Sequence, residues 1–345
     1  MRATLPLLLL AATTLPAQTT ATPPPADTPQ APYTLRTESN VVLIPTTVQT
    51  KHGEVIYGLK ANQFVVEDNG VPQTIRLDED TDALGLSLAV VVQCSRAALM
   101  EYPKYAGLPS MIDGLAGGAP REVAVIQYGG LPVTLSDFSS DPDTIQQALT
   151  QLQPCDDDPE ASTLDAVAYA TRLLQARNNH YRHAILLIGE TRDHGSDAKP
   201  AQVIAELGRT NTVVDAVSFN PGKTEIVNDL HYGGGSGPIG LLVMAVQALR
   251  RNVPKTLASL SGGEYINFTT QKGFDQGLGR LSNHLHNYYL LSFQPHSANA
   301  APLVSGLHSL RVKIPDYPDA HLHFRESYFS GTLEQLPQPL PPEAQ

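Results

Sequence analysis

The sequence predicts an α/β protein in which a doubly wound, mostly parallel sheet is inserted into a discontinuous antiparallel β-sandwich-like domain. Three observations carry this. Strand-like apolar runs and helical patterns alternate from about residue 84 to 286, as they do where crossover helices join parallel strands. The flanking segments, 34–80 and 287–330, read instead as short strands separated by turn residues. The run 86–92 (LSLAVVV) is continuously apolar enough for a strand buried on both faces.

The elements follow in order. Residues 41–49 and 63–68 read as strands separated by Lys51, His52 and Gly53, and Asn69-Gly70 is a hairpin turn before a strand at 71–77. Residues 122–128 (EVAVIQY) form a strand, and 132–135 add an edge. Asp141 caps a helix with Pro142 in its first position, and Ile145, Ala148, Leu149 and Leu152 share one face of it. A further helix begins at Leu164, a strand covers 183–188, and Asp197 caps a helix over 200–207. A strand at 212–219, a helical run at 241–250 and two helices at 254–260 and 273–286 around a short strand at 264–268 complete the section. Strands at 288–294, 307–314 and 321–329 follow.

At 345 residues the chain exceeds the usual span of about 100 to 200 per domain, and its 41% hydrophobic content supplies a sizeable core. Residues 1–17, with Arg2, an apolar stretch and Leu15-Pro16-Ala17, read as a cleaved secretory signal too short to span a bilayer. Residues 18–33 are a Pro/Thr-rich solvated linker, and 331–345 form a similar tail. No later stretch approaches about 18 uninterrupted apolar residues, so the mature chain is expected to be secreted or periplasmic, without membrane insertion. A net charge of −11 makes nucleic acid an unsuitable partner.

Enzyme signatures fail on context. Gly235, Gly237 and Gly240 fit the spacing of a dinucleotide-binding loop, but no strand leads into it and no acidic residue ends a second strand beyond it, so it reads as a flexible loop. His284 and His286 point apart on a helix. His321 and His323 share one face of a strand, but lack further ligands nearby in sequence and read as a solvent face. No G-x-S-x-G, H-E-x-x-H or P-loop string is present, so no catalytic residue and no cofactor is assigned.

Four stretches carry a resemblance. Gly58-Leu59 with Phe64 and Glu67-Asp68-Asn69-Gly70 stand near the front; Tyr289 to Pro295 (YLLSFQP) and Arg325-x-x-Tyr328-Phe329 stand near the end. With the strand ends at Gln93 and Glu190, they resemble the VWFA-related family first described from acidobacterial proteins, which is built on the von Willebrand factor type A fold. The resemblance spans roughly residues 35–329 and implies a metal-ion-dependent adhesion site at the carboxyl ends of the strands.

That site is expected to be degenerate. The resemblance implies Asp-x-Ser-x-Ser after the first strand, a Thr one loop later and an Asp after a later strand. Here Gln93 replaces the first Asp, Ser95 keeps the first Ser, Ala97 replaces the second, and Glu190 replaces the last Asp. Ala161, Ser162 or Thr163 takes the Thr position. A Mg²⁺-type ion demands hard oxygen ligands in near-octahedral order, and this set lacks two of them. Asp156, Asp157 and Asp158 are candidate replacement carboxylates, and Asp193, His194 and Asp197 raise the same question; the plainer reading of each is a solvated or capping residue.

The implied topology brings Cys94 and Cys155 to one sheet edge, and an oxidising compartment favours a bridge between them over a buried Cys94 with a free Cys155 thiol. The function the resemblance implies is partner recognition through the carboxyl edge of the sheet, with an unknown envelope or extracellular protein as partner. The alternative is a metal-dependent adhesion or carbohydrate-binding domain rebuilt around Ser95, Glu190 and Asp156 to Asp158.

Overall fold

The computed structural model describes residues 41–78, 84–115, 119–155, 157–219, 237–295 and 305–331. The expected signal and linker, all of the tail but Gly331, and Asp156 lie outside these residues. The described residues fall within a single compact unit.

The front of the chain supplies β1 (Val42–Gln49), β2 (Val65–Asp68), β3 (Val71–Gln73) and β4 (Ile75–Asp78). Asn69 and Gly70 both take positive φ, 48° and 83°, which is the backbone that a two-residue hairpin between β2 and β3 requires.

A six-stranded sheet follows, made of β5 (Leu86–Gln93), β6 (Arg121–Tyr128), β7 (Pro132–Ser139), β8 (Arg182–Glu190), β9 (Val213–Phe219) and β10 (Tyr265–Phe268). Its order is β10-β9-β8-β5-β6-β7, parallel except for the β7 edge. Helices α1 (Leu108–Leu115), α2 (Pro142–Thr150), α3 (Thr163–Gln175), α4 (Pro200–Thr210), α5 (Gly237–Leu249), α6 (Val253–Ser261) and α7 (Gln271–His286) cover both faces. Leu88, Val90 and Val92 pack towards α1, α2 and α7, while Ala89 and Val91 pack towards α3 to α6. All of β5 is therefore buried, including its last residue, Gln93. This is the doubly wound α/β arrangement the alternation predicts.

Strands β11 (Tyr289–Phe293), β12 (Gly306–Lys313), β13 (His321–Phe324) and β14 (Ser327–Ser330) return to the front segment. They build two antiparallel four-stranded sheets, β13-β1-β11-β4 and β14-β12-β2-β3. Ile44, Val48, Leu291 and Phe293 from one sheet meet Val66, Leu310, Val312 and Tyr328 from the other in a shared core.

Several elements differ from the sequence reading. Gln63 belongs to a short 3₁₀ turn, and the strand starts at Val65. The edge strand β7 runs to Ser139 rather than Leu135. The expected single strand at 321–329 breaks into β13 and β14, which join different sheets. Arg325 occupies the break, where its buried guanidinium donates to the carbonyls of Ser327, Leu43 and Gly208 and to Asn211 Oδ1. Gly208 lies in the last turn of α4, whose carbonyls favour a cation. Burial lowers the Arg325 pKa to about 10. Of the glycine string, Gly237 and Gly240 are helical, as the first turn of α5, and 220–236 fall outside the described residues. Asp197 is not the cap of α4. Lys199 holds that position without a side-chain bond, while the amides of Asp197 and Ala198 donate to the Asp165 carboxylate. His323 is half-buried and Nε2 lies 2.9 Å from the Gly263 carbonyl, so it is not on a free solvent face.

Candidate functional site

The chain runs from β5 outwards through β6 and β7 on one side, then returns through β8 to β9 and β10 on the other. The connections leave the sheet on opposite faces, so β5 and β8 are neighbours at a topological switch point. Crevices beyond the carboxyl ends of such a pair are where open α/β sheets bind ligands. Gln93 ends β5 and Glu190 ends β8, so the topology sets them side by side.

Their side chains close that crevice with hydrogen bonds. The Glu190 backbone N–H donates to Gln93 Oε1 at 2.7 Å, which fixes which end of the amide is the oxygen. Gln93 Nε2 is then left facing two oxygens, donating to Ser95 Oγ at 2.7 Å and to Glu190 Oε1 at 2.9 Å. All three residues are buried. His194, half-exposed, places Nε2 3.8 Å from Glu190 Oε2.

Tyr128, at the end of β6, stands beside this group. A side chain at Gly189 would collide with the Tyr128 hydroxyl at 2.3 Å and press on Gln93 Oε1 at 3.0 Å, so glycine is what lets the phenol approach. The hydroxyl lies 3.3 Å from Thr163 Oγ1, and burial pushes its pKa well up. Sequence reasoning missed Tyr128; its one signal was its place as the last residue of an apolar strand.

The Thr-like loop divides its three residues among different tasks. Ala161 pairs its backbone with His194 in an antiparallel bridge. The Ser162 amide donates to the Gly129 carbonyl, and Ser162 Oγ is buried with no hydrogen-bond partner among the described residues. Thr163 Oγ1 reaches Tyr128 and the Ala161 carbonyl, and no direct bond joins it to Gln93.

Cys94 and Cys155 form a disulfide with Cα atoms 5.0 Å apart. The loop after Cys155 runs alongside the end of β5, with Cys155 N–H donating to the Cys94 carbonyl and Arg96 N–H to that of Asp158. Asp158 does not project into the crevice as a ligand. Its carboxylate accepts the amides of Gly130 and Glu160 at 2.7 and 2.9 Å, and a Cβ on Gly129 would sit 2.2 Å from it. Asp157 is exposed. Asp193 caps α3 from outside, accepting from Leu164 N–H and from Ser196 Oγ.

A hard divalent cation does not fit this donor set. Glu190 is the one carboxylate bonded to the Gln93 amide, and the NH₂ of that amide points at the Ser95 and Glu190 oxygens a cation would need. Among the described residues, no group of three His, Cys, Asp or Glu side chains is close enough to hold a metal ion.

The rim carries four exposed apolar side chains among charged ones such as Arg96, Asp157 and Glu160. Leu99 and Met100 follow Ser95, Leu131 stands in the β6–β7 turn, and Val133 follows it in β7. Met100 and Leu131 are each 77% exposed, and the Asp158 loop joins the two groups through Arg96 and Gly130.

Residues 107–191 match the model of the von Willebrand factor type A domain. The match includes the Thr-like loop and Glu190 but begins after Gln93, Ser95 and Ala97. The α/β section is accordingly a von Willebrand type A-like fold. Among solved structures, the chain is similar to the conserved hypothetical protein BatB from Bacteroides thetaiotaomicron, with 15% identity, a TM-score of 0.38 and 58% of this chain on 100% of that one. It is also similar to an aerotolerance-related membrane protein from Bacteroides fragilis, with 16% identity, a TM-score of 0.40 and 58% on 98%. Proximal thread matrix protein 1 from the mussel byssus gives 11% identity, a TM-score of 0.43 and 72% on 50%. No curated protein matches the chain.

Proposed function

We propose that the chain is an exported protein-binding module that recognises an envelope or extracellular partner through the carboxyl edge of its parallel sheet. The observation that carries this reading is the Gln93 amide, which ties Ser95 to Glu190 by hydrogen bonds where the family resemblance implies a cation. The edge is thus rigid without metal. Its contact area is the four exposed apolar side chains of the rim, Leu99, Met100, Leu131 and Val133, held around a loop that a disulfide pins.

Export is supported by the disulfide, which persists in oxidising compartments, and by the signal-like residues 1–17. We read the organisation as an α/β domain, 81–286, carried on a discontinuous β domain, 34–80 and 287–330. No helix among the described residues is long and apolar enough to cross a membrane. Against the metal-dependent alternative stands Asp158, whose carboxylate is already engaged by two backbone amides. We assign no catalysis to the site.

The test is capture from an envelope extract by the immobilised protein, with Met100→Glu and Leu131→Glu combined as the edge variant. Val243→Glu, on the exposed side of α5, is the control. The reading predicts capture that is lost in the edge variant, kept in the control and insensitive to a chelator. Capture that survives the edge variant, or that a chelator abolishes, would contradict it.

A further inference from the structure

A second concavity lies at the opposite, amino end of the parallel sheet. It is a cavity of about 270 Å³ between the first residues of β5, β8 and β9 and the facing sheet of β1 and β11. Leu43, Pro45, Leu86, Val213 and Leu290 make its walls mostly apolar. Protein interiors leave few voids larger than a water molecule, and this one approaches the roughly 300 Å³ at which small-molecule sites begin.

Its polar side is incomplete. Arg182 lines the cavity with its guanidinium 5.0 Å from the centre of the Tyr288 ring, and Tyr288 lines it too. The buried Arg182 Nε has no hydrogen-bond partner, and no ion pair joins Arg182 to a carboxylate among the described residues. The adjacent His183 also lines the cavity, with a buried and unpartnered Nε2. Burial lowers the His183 pKa, so the imidazole is neutral and able to share a proton. Arg182 pulls down the pKa of the buried Asp215, but burial outweighs it and raises that pKa to about 7, so Asp215 is a weak counter-ion.

Buried polar groups in native proteins are ordinarily satisfied, and a lone guanidinium on an apolar wall is matched by a single carboxylate. A polyanion would leave the apolar walls uncovered, and a plain hydrocarbon would leave Arg182 unpaired. We propose that this cavity binds a small monocarboxylate with an apolar body, its carboxylate on Arg182 and its hydrocarbon between Leu43, Leu86 and Leu290. Such a ligand fills the seam between the α/β layer and the sheet of β1 and β11. It is independent of the partner-binding edge at the other end of the strands.

Calorimetry and thermal melts of the full chain with octanoate and phenylbutyrate, against octanol and phenylbutanol, test the assignment. The proposal predicts one saturable site, an acid preference of about ten-fold over the matching alcohol, and a melt raised by the acids. Arg182→Gln should bring the acids down to the affinity of the alcohols, and Arg182→Lys should keep part of the preference. Leu43→Trp, which fills the cavity from a half-buried position, should abolish both classes while circular dichroism stays native. No saturable binding to the wild type, equal affinity for acid and alcohol, or binding unchanged by Leu43→Trp would each overturn it.

Discussion

Gln93 and Glu190 clasp one another twice across the β5–β8 crevice: Glu190 N–H donates to Gln93 Oε1 at 2.7 Å, and Gln93 Nε2 returns a bond to Glu190 Oε1 at 2.9 Å. Because the backbone amide fixes the orientation of the Gln93 side chain, the NH₂ also reaches Ser95 Oγ. One neutral side chain thus ties the ends of two neighbouring strands together. It does so without the desolvation cost of a second buried charge.

Breaking the disulfide should loosen the rim. Cys94 and Cys155 are separated by 61 positions, for which the chain-entropy account gives about 4 kcal/mol of stabilisation. The double variant Cys94→Ala with Cys155→Ala is expected to lose stability of that order in denaturant unfolding. Thiol titration of the denatured, unreduced wild type should find no free thiol.

Arg325 should be the most sensitive position at the seam. It donates to three carbonyls and an amide oxygen from full burial, so Arg325→Met leaves several acceptors unsatisfied and is expected to cost about 3 kcal/mol or more. Arg325→Lys should rescue little, because a single ammonium cannot reach acceptors spread across β1, α4 and β14. Urea midpoints of the two variants check this.

Much of the fold was legible from periodicity. The unbroken apolar run of β5, the capped helix α2 and the Asn69-Gly70 turn all formed as their residues dictate. The break between β13 and β14 was not legible, because what divides the strand is the long-range set of bonds around Arg325, to Leu43, Gly208 and Asn211. The family-like motifs prove to hold the sandwich together: the Tyr289 hydroxyl joins the backbone at Ile56 and Leu59, and the Tyr328 hydroxyl donates to Asp68. At the site, the family resemblance pointed to Gln93, Ser95 and Glu190, which the fold sets side by side at the ends of β5 and β8. The bonds among them, the presence of Tyr128 and the engagement of Asp158 by Gly130 depend on loops brought together from distant sequence.

Asp215 gives a pH dependence of defined sign. Burial raises its pKa to about 7, above the ordinary carboxyl value, although the Glu264 amide donates to it. A raised folded pKa means that the folded state holds the proton more tightly than the unfolded chain. Its favourable contribution is therefore complete below about pH 4 and is lost as pH rises to about 7. Asp215→Asn removes this titration. The stability of the wild type relative to Asp215→Asn should fall across that window, by up to a few kcal/mol, in urea unfolding at pH 4, 5.5 and 7.5.

The clasp itself is tested most directly by calorimetric titration of the full chain with Mn²⁺, paired with melts in millimolar cation. Gln93→Asp with Ala97→Ser is the contrast, since it sets a second carboxylate against Glu190 and should be destabilised until a cation is added. For the wild type, the account predicts no saturable uptake and a melting temperature unchanged by the ion. Uptake of one Mn²⁺ per wild-type chain, with a melt raised by several degrees, would contradict it.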